Sequence, residues 1–266
     1  MSNINEMIDL RGKRALITGA AGGLGTVICQ TLAELGADLI LLDREESNLE
    51  EFSKGLKREW KTEIEFKYCD LEVQNQRTDL INWVLNEKDN LNILVNNAAL
   101  VGTTEMVGWS VPFEEQSVDT WRRALEVNLT AAFDLCKGLV PILRRSQGAS
   151  VVNIASIYGT SAPDWRLYDG LSMGNPAGYA ASKGGLIQLT RWLATTLAPD
   201  IRVNVISPGG ILRNQLPKFV DRYELRTPLG RMATEDDIRG AIAYFSSDLS
   251  KYVTGQNLIV DGGWSI

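Results

Sequence analysis

A tyrosine and a lysine stand four positions apart in a glycine- and alanine-rich stretch of the chain. Tyr179 and Lys183 share one face of a predicted helix, because residues i and i+4 lie one turn apart. A free phenol has a pKa near 10, about three units too high for a base at neutral pH. One unit charge about 4 Å away contributes on the order of 4 kcal/mol at an effective dielectric of 20, which matches that shift. The two residues are therefore a candidate acid–base pair, although the same spacing also arises by chance among surface residues.

The chain has no histidine among its 266 residues. Catalysis by a Ser-His-Asp or Cys-His arrangement is therefore excluded, and no imidazole can bind zinc. Proton transfer near neutral pH has to use a tyrosine, lysine, cysteine or carboxylate with a shifted pKa. We expect no metal site, and Tyr179 with Lys183 is the best acid–base pair that the sequence offers.

A glycine-rich turn joins the first predicted strand to a helix, with glycines in the pattern G-x-x-x-G-x-G. Glycine lets the chain turn sharply and lets backbone N–H groups approach a pyrophosphate, which then lies at the positive helix N-terminus. A turn without a ligand is the alternative. The residues expected to contact the phosphates are Gly19, Gly22, Gly23, Leu24 and Gly25.

An aspartate ends the second predicted strand. Asp43 can accept hydrogen bonds from both hydroxyls of an adenosine ribose, and its charge repels a 2′-phosphate. Arg44 follows directly and would favour NADP, and an exposed loop aspartate without a role is the other alternative. On balance the sequence favours NAD as the cofactor, with NADP less favoured.

Short apolar runs alternate with longer segments of helical period along the whole chain. Such alternation predicts right-handed βαβ units and an α/β fold, a Rossmann-type, doubly wound, mostly parallel seven-stranded sheet with helices on both faces. The predicted strands are Arg14–Thr18, Asp38–Leu42, Glu63–Cys69, Leu91–Val95, Ser150–Ala155, Arg202–Ile206 and Asn257–Val260. The predicted helices are Gly23–Leu35, Ser47–Lys61, Val73–Lys88, Val118–Arg145, Tyr179–Leu197 and Thr234–Ser247. No linker or repeat interrupts the pattern, so we predict a single domain over residues 1–266.

Three predicted connections are unusually long: Leu100–Ser117, Ile157–Gly178 and Gly209–Thr234, the last of which should contain short helices. The first two follow the fourth and fifth strands, so they should lie at the carboxyl edge of the sheet, where such sheets bind ligands. Their aromatic and charged side chains suit a polyhydroxylated or phosphorylated ligand such as a sugar derivative. Packing of the loops is the alternative. The side chains concerned are Met106, Trp109, Phe113, Asp164, Trp165, Arg166, Tyr168, Asp169 and Met173, with Arg213, Lys218 and Arg222 on the third connection.

The overall composition excludes several classes of protein. A net charge of −6 gives no electrostatic reason to expect nucleic acid or an anionic membrane as partner. No stretch approaches the roughly 20 apolar residues of a membrane span. Cys29, Cys69 and Cys136 stand in apolar surroundings and are expected to be buried free thiols. We therefore expect a cytoplasmic protein.

The phosphate turn, the acidic strand end and the Tyr-x-x-x-Lys pair occur in an order that resembles the single-domain branch of the short-chain dehydrogenase/reductase family. Further similarities span nearly the whole chain: Asp70-Leu71, Asn96-Asn97-Ala98-Ala99, Asn128, Ser156, Ser207-Pro208-Gly209-Gly210-Ile211 and Val260-Asp261-Gly262-Gly263-Trp264. The resemblance implies an oxidoreductase that moves a hydride between NAD(H) and a small-molecule alcohol or ketone. A non-catalytic nucleotide-binding protein of the same fold is the alternative of a different class.

The same resemblance implies a role for each matching residue. Tyr179 exchanges the proton and Ser156 hydrogen-bonds the reacting oxygen. Lys183 lowers the pKa of the tyrosine and holds the nicotinamide ribose, while Asn128 helps to hold a water next to that lysine. The remaining implied cofactor contacts are Asp70, Leu71, Asn97, Ala98, Pro208, Gly209 and Ile211.

Two departures from the family pattern stand out. Ser156 and Tyr179 are 23 residues apart, where about a dozen is usual, so Ile157–Gly178 contains an insertion or another serine, Ser161 or Ser172, replaces Ser156. Only Ser156 closes an apolar strand, and it is preferred for that reason. The threonine that commonly contacts the nicotinamide carboxamide is Arg213 here, and the backbone N–H of Ile211 is left to make that contact.

The substrate and the assembly are predicted less directly. The long connection after Ser156 is also similar to that of members encoded for bacterial surface-polysaccharide sugars, so a sugar derivative is preferred over a small ketone or polyol, or a 3-oxoacyl thioester. The predicted helices Val118–Arg145 and Tyr179–Leu197 have apolar faces broad enough for a second contact besides the core. Together with the resemblance, these faces predict a homotetramer or homodimer.

Overall fold

In a computed structural model that describes residues 3–266, short apolar runs form a seven-stranded sheet. The strands are β1 (Arg14–Thr18), β2 (Asp38–Asp43), β3 (Ile64–Tyr68), β4 (Ile93–Asn96), β5 (Ala149–Ile154), β6 (Ile201–Pro208) and β7 (Asn257–Val260). Their order across the sheet is β3-β2-β1-β4-β5-β6-β7, and every neighbouring pair is parallel. The predicted Rossmann-type fold is confirmed, with a sheet that is fully rather than mostly parallel. Residues 1 and 2 of the predicted domain lie outside the described residues.

The predicted helices occur in the predicted order with shifted ends, whereas a short helix at Ile4–Ile8 was not predicted. They are α1 (Ile4–Ile8), α2 (Gly23–Glu34), α3 (Leu49–Glu59), α4 (Gln74–Glu87), α5 (Val118–Leu125), α6 (Ala131–Arg145), α7 (Ala177–Leu197), α8 (Pro217–Arg226) and α9 (Arg239–Ser246). The predicted helix Val118–Arg145 is not a continuous α-helix, because Glu126–Thr130 forms a π-helical turn between α5 and α6. The start of the predicted helix Thr234–Ser247 is a 3₁₀ turn, Glu235–Ile238. Such local changes of helix type leave little trace in hydrophobic periodicity.

Alternate strand residues divide between two hydrophobic cores, one on each face of the sheet. Ala15 and Ile17 of β1 pack on the face covered by α2, α3 and α9. Leu16, between them, packs on the opposite face, against α4, α6 and α7. Because both faces are covered, the central strands are buried and apolar at most positions, as in other parallel sheets. The sheet is therefore a rigid platform whose carboxyl edge can position side chains.

The chain reverses its direction of winding between β1 and β4, which lie side by side in the sheet. From β1 it proceeds outward to β2 and β3, then crosses back to β4. Open α/β sheets form a crevice at this switch point, outside the carboxyl ends of the strands. The Thr18 hydroxyl links the two strand ends here, accepting hydrogen bonds from the backbone N–H groups of Asn97 and Ala98, each at 3.0 Å.

The two long connections after β4 and β5 contact each other. The backbone N–H of Ala177, at the start of α7, donates to Oε1 of Gln116 at 3.0 Å. The indole N–H of Trp109 donates to the carbonyl of Val101 at 2.8 Å, and this side chain is buried. The β5–α7 connection, residues 155–176, also contacts α8, where the Arg222 guanidinium donates to the carbonyl oxygens of Leu167 and Asp169.

Two further expectations concern cysteines and membrane spans. Cys29, Cys69 and Cys136 are buried free thiols, as predicted. Burial raises the pKa of the Cys69 thiol to about 11 and that of Cys136 to about 12, so neither is poised as a nucleophile. Within residues 3–266, none of the helices combines the length and the apolar character that crossing a bilayer requires.

Candidate active site

The glycine-rich turn after β1 has a shape that only glycine permits. Gly19 has a φ of +64°, and a Cβ atom added to it would lie 2.9 Å from Cα of Ala98. A Cβ atom at Gly25 would lie 1.9 Å from the carbonyl oxygen of Gly19. The Asn97 amide fixes the turn from the side, donating to the carbonyl oxygens of Thr18 (2.9 Å) and Gly19 (3.1 Å). The turn leads directly into α2, and this close approach to a helix N-terminus fits a pyrophosphate.

Asp43 connects the end of β2 to this turn. Its Oδ2 accepts a hydrogen bond from the backbone N–H of Ala21 at 2.9 Å, and its Oδ1 accepts one from the backbone N–H of Arg44 at 2.9 Å. Both carboxylate oxygens are thereby held in place. Each oxygen retains a free lone pair for a ribose hydroxyl.

A cleft of about 300 Å³ lies above the β1–β4 switch point. It gathers most of the residues that the sequence predicted for the adenosine and phosphate parts of a dinucleotide. These residues are Gly19, Gly22, Gly23, Leu24, Gly25, Asp43, Asp70, Leu71, Asn97 and Ala98. Three cationic side chains also line the cleft: Arg44, Arg123 and Arg213.

Pro208, Gly209 and Ile211 lie beyond this cleft, where β6 ends beside β7. The backbone N–H of Gly209 donates to the carbonyl of Val260 at 2.9 Å, and Ile211 forms an isolated β-bridge with Ala233. A Cβ atom at Gly209 would approach Cα of Asp261 to 2.9 Å, so the segment packs closely against the C-terminal tail. These residues do not line the cleft, although Arg213, two positions further on, does.

Ser156 and Tyr179 meet at the carboxyl end of β5. Ser156 follows this strand, and its Oγ accepts a hydrogen bond from the backbone N–H of Tyr158 at 3.2 Å. Tyr179 is the third residue of α7, and the Ser156 hydroxyl beside it lowers the pKa of its phenol. This contact favours Ser156 over Ser161 and Ser172 as the partner of Tyr179.

Burial dominates the proton affinities of Tyr179 and Lys183. It raises the pKa of the Tyr179 phenol, and the Ser156 hydroxyl and the Arg213 charge oppose this effect only in part. It lowers the pKa of Lys183 to about 7. The lysine Nζ lies 5.8 Å from the centre of the Tyr179 ring and donates to the carbonyl of Ile154 at 2.7 Å. The expected lowering of the tyrosine pKa by Lys183 is therefore not seen in this structure, because burial disfavours the charged amine.

Asn128 lies in the π-helical turn, but its side chain does not reach Lys183. Its Oδ1 accepts from the backbone N–H of Leu100 at 2.8 Å. Its Nδ2 donates to the carbonyl of Leu100 and to Oγ of Ser182, each at 3.0 Å. Ser182 in turn donates to the carbonyl of Tyr179 at 2.8 Å. Asn128 thus joins the segment after β4 to the first turn of α7, and its implied role in holding a water at the lysine stays a prediction.

A group of hydroxyl and amide side chains lies beside Tyr179, and of its three members only Tyr168 was singled out by the sequence analysis. The Tyr158 and Tyr168 hydroxyls are 2.8 Å apart. Burial raises the pKa of both phenols, and the Asn175 side chain beside them opposes this rise. Both tyrosines lie near the Tyr179 phenol, because the negative charge of its ionised form contributes to raising the pKa of each of them. Asn175 is buried, and its Oδ1 has no partner among residues 3–266. We call these three residues the polar wall.

Three of the six charged groups expected to bind a ligand, Asp164, Arg166 and Arg222, instead make contacts that hold the β5–α7 connection. Asp164 pairs with Arg166 at 2.6 Å and with Arg226 on α8 at 2.5 Å. The Arg226 guanidinium also lies 4.2 Å from the ring centre of Trp264 in the C-terminal tail. Asp164 is occupied by these ion pairs, and Arg222 donates to backbone carbonyl oxygens. For both residues the alternative role, packing of the loops, applies. The charged side chains therefore give less support to a phosphorylated ligand than the sequence suggested.

Comparison with known proteins gives matches over nearly the whole chain. A family model described as Enoyl-(Acyl carrier protein) reductase matches residues 19–265. The 3-oxoacyl-(acyl-carrier-protein) reductase of Rickettsia felis is 32% identical over 264 residues, which cover 97% of this chain and 98% of that protein.

Two solved structures share the fold. A short chain dehydrogenase from Leptospira borgpetersenii, solved with bound NAD+, is 32% identical with a TM-score of 0.85, and the match covers 100% of this chain and 97% of that one. A gluconate 5-dehydrogenase from Burkholderia cenocepacia, solved in complex with NADP and tartrate, is 27% identical with a TM-score of 0.87, and the match covers 99% of each chain.

Proposed function

The chain belongs to the short-chain dehydrogenase/reductase family, the NAD(P)-dependent oxidoreductases of CH–OH and keto groups, and on that premise we propose that it acts on a polyhydroxylated alcohol or ketone with NAD. The observation that carries the proposal is the polar wall of Tyr158, Tyr168 and Asn175, which adjoins the Tyr179 phenol and its Ser156 partner. Hydroxyl and amide groups in this position suit a substrate with several hydroxyls better than an aliphatic chain.

The proton chemistry follows from the residues at the end of β5. In the oxidative direction, Oη of the ionised Tyr179 takes the proton of the substrate hydroxyl and becomes a neutral phenol, and the Ser156 hydroxyl holds the substrate oxygen and stabilises its developing charge. Lys183 has a pKa near 7, so it can become charged as the phenol ionises, and each charge then favours the other. When bound, the nicotinamide cofactor accepts the hydride, or donates it in the reverse reaction. The glycine turn, Asp43 and Asn97 would hold its adenosine and phosphate parts.

The preference for NAD rests on Asp43. Its carboxylate is fixed at the end of β2 within the cleft, where a 2′-phosphate would meet a negative charge. The solved relatives include one with NAD+ and one with NADP, so membership of the family does not determine which cofactor is bound. Fluorescence titration with NADH and NADPH tests the preference. We expect a lower Kd for NADH, and Asp43→Ala should narrow the difference. Equal affinities in the unaltered chain would contradict the proposal.

The preferred substrate class is a sugar derivative or sugar acid, which the likeness to a gluconate 5-dehydrogenase also supports. The second candidate is a 3-oxoacyl thioester, favoured by the Rickettsia relative. Initial rates of NADH formation or consumption on sugar acids, sugar phosphates, nucleotide sugars, simple polyols and 3-oxoacyl thioesters distinguish them. We expect the highest kcat/KM on a polyhydroxylated compound. A higher kcat/KM on a 3-oxoacyl thioester than on every polyhydroxylated compound would favour the second candidate.

We also propose that the protein forms a homodimer or homotetramer through α5, α6 and α7. Trp121, Phe133 and Trp192 on these helices are exposed, whereas Leu139 and Leu193 are buried in the core, so the helices have a second apolar stripe. Several large aromatic side chains exposed on neighbouring parts of the chain's surface helices are typical of an interface. Light scattering should give a mass of at least two chains, and Trp192→Glu should lower it. A single-chain mass of 29.4 kDa at micromolar concentration would refute this assembly.

A further inference from the structure

Arg213 lies directly over the phosphate turn. A Cβ atom added to Gly23 would be 2.5 Å from Nη2 of Arg213 and 2.9 Å from its Cζ. The guanidinium therefore covers the residue at which α2 begins. Arg213 also lines the same cleft as Gly19 and Asp43, although it comes from the segment after β6, nearly 200 residues later in the chain. The cleft thus has backbone donors on one side and a cation on the other.

The Arg213 side chain is held in this position while part of it stays free. Its Nε donates to Oε1 of Glu235 at 2.9 Å, and its backbone N–H donates to Oε1 of Gln215 at 2.6 Å. Gln215 in turn donates to the carbonyl of Ile211 at 2.7 Å, which stiffens the segment. The hydrogen bonds found within residues 3–266 use Nε alone, so the two terminal nitrogens remain available as donors.

The charges around the cleft indicate which part of a bound dinucleotide Arg213 would contact. Arg123 is bound by Glu72 through two hydrogen bonds of 2.7 and 3.0 Å, so its charge is largely balanced. Asp43 and Asp70 add negative charge at the adenosine end. A pyrophosphate carries two negative charges, and a helix N-terminus supplies only about half a positive charge against them. An arginine beside the turn would supply positive charge, part of which Glu235 offsets, and the paired donors of its two terminal nitrogens.

We propose that Arg213 binds the pyrophosphate of the dinucleotide cofactor from the side opposite α2, with Glu235 orienting its guanidinium. This inference rests on the proposed binding of a nicotinamide dinucleotide in the cleft. A side chain at residue 23 would displace this guanidinium, so Gly23 leaves room for Arg213 as well as for the approach of the phosphates. The residue that replaces the family's threonine thereby has a role at the phosphates instead of at the carboxamide.

Binding measurements test the assignment without relying on turnover. We expect Arg213→Gln to raise the Kd of NADH and of ADP-ribose about ten- to a hundredfold, because a charged hydrogen-bonding partner of the phosphates is lost. The Kd of adenosine, which has no pyrophosphate, should not change. Arg213→Lys keeps the charge but loses the paired donors of the guanidinium. Its Kd values for NADH and ADP-ribose should therefore lie between those of the unaltered chain and those of Arg213→Gln. Arg58→Gln is the matched control for net charge, since Arg58 is exposed on α3, away from the cleft.

A double-mutant cycle tests the contact itself. Gly23→Ala should raise the Kd of ADP-ribose about tenfold in the unaltered chain but about threefold or less in the Arg213→Ala background, where no guanidinium is displaced. Gly22→Ala should act equally in both backgrounds, because a Cβ atom there would meet the carbonyl of Gly19 rather than Arg213.

Unchanged ADP-ribose affinity in Arg213→Gln would overturn the assignment. A raised KM for the substrate with an unchanged NADH Kd would also overturn it, and would make Arg213 a substrate residue instead. If the unaltered chain bound neither NADH nor ADP-ribose, the proposed function itself would fail. That outcome is distinguishable, because it appears before any substitution is made.

Discussion

The glycine turn in the cleft above the β1–β4 switch point is shaped by its backbone, whereas the β5–α7 connection beside Tyr179 is held by side chains that are far apart in sequence. In the cleft, Gly19 and Gly25 form a turn in which a single added carbon atom would collide with main-chain atoms. In the connection, Asp164 is paired with Arg226, and Arg222 donates to two carbonyl oxygens. The turn depends on residues that have no side chain, whereas the connection depends on contacts between particular side chains.

The two regions should therefore respond differently to amino-acid substitutions. A backbone site fails abruptly when its shape is altered, because a glycine turn has no flexible group to move aside. A side-chain site can lose one hydrogen bond and keep the rest, at a cost of about 0.5–1.5 kcal/mol for a typical bond. The substitutions below are chosen to separate these two behaviours.

The largest effect is expected at the turn. Gly25→Ala should weaken NADH binding about a hundredfold or more, because its Cβ atom would lie 1.9 Å from the carbonyl oxygen of Gly19 and the turn would have to shift. Isothermal titration with NADH measures the change, and circular dichroism checks that the chain still folds. Gly55→Ala is the control, since a Cβ atom there meets nothing within 4 Å. A folded Gly25→Ala protein with unaltered NADH affinity would show that the turn is not a rigid cradle.

A moderate effect is expected in the polar wall. Asn175→Leu and Tyr158→Phe should each raise the KM of a polyhydroxylated substrate about two- to tenfold, the range for one lost hydrogen bond, with little change in the Kd of NADH. Tyr252→Phe serves as the control, because the Tyr252 side chain is fully exposed. If KM stays constant in both wall variants while the NADH Kd rises, the wall contacts the cofactor and the proposed division between the two regions is wrong.

The smallest effect concerns Lys183, which lies between the two regions. Its pKa is about 7 in the folded chain and about 10.4 when unfolded, so between these values the unfolded state binds more protons and the free energy of unfolding rises with pH. Relative to Lys183→Met, the free energy of unfolding of the unaltered protein should rise by up to about 1 kcal/mol from pH 7 to pH 8. Between pH 5 and pH 6 the difference should not change. Urea unfolding of the cofactor-free proteins measures this. An equal pH dependence in both proteins would mean that the amine is charged in the folded state.

The fold and the grouping of the predicted residues around one cleft were predictable because their determinants are local. Strand and helix periods gave the sheet, and the glycine pattern with Asp43 gave the cleft, since each signal lies within a few neighbouring residues. The polar wall was not predictable in the same way. Tyr158, Tyr168 and Asn175 lie in an irregular connection, and only tertiary packing brings their polar atoms together.

Two other features depended on packing between distant elements. Asn128 in the π-helical turn hydrogen-bonds Leu100 and Ser182, and no periodicity reveals these contacts. The position of Arg213 over Gly23 joins two segments that no sequence motif connects. The sequence showed only that an arginine stands where the family has a threonine.

The central claim is that the Tyr179 phenol carries the proton in an oxidoreductase reaction, and Tyr179→Phe tests it most directly because only one oxygen atom is removed. With the best substrate of the panel, we predict that kcat falls about 100- to 10,000-fold, the usual contribution of a positioned acid–base group, while the Kd of NADH stays within about twofold of the unaltered value. Stopped-flow measurement of the first turnover reports the chemical step separately from product release. A Tyr179→Phe protein that turns over at a rate comparable to the unaltered chain would contradict the account.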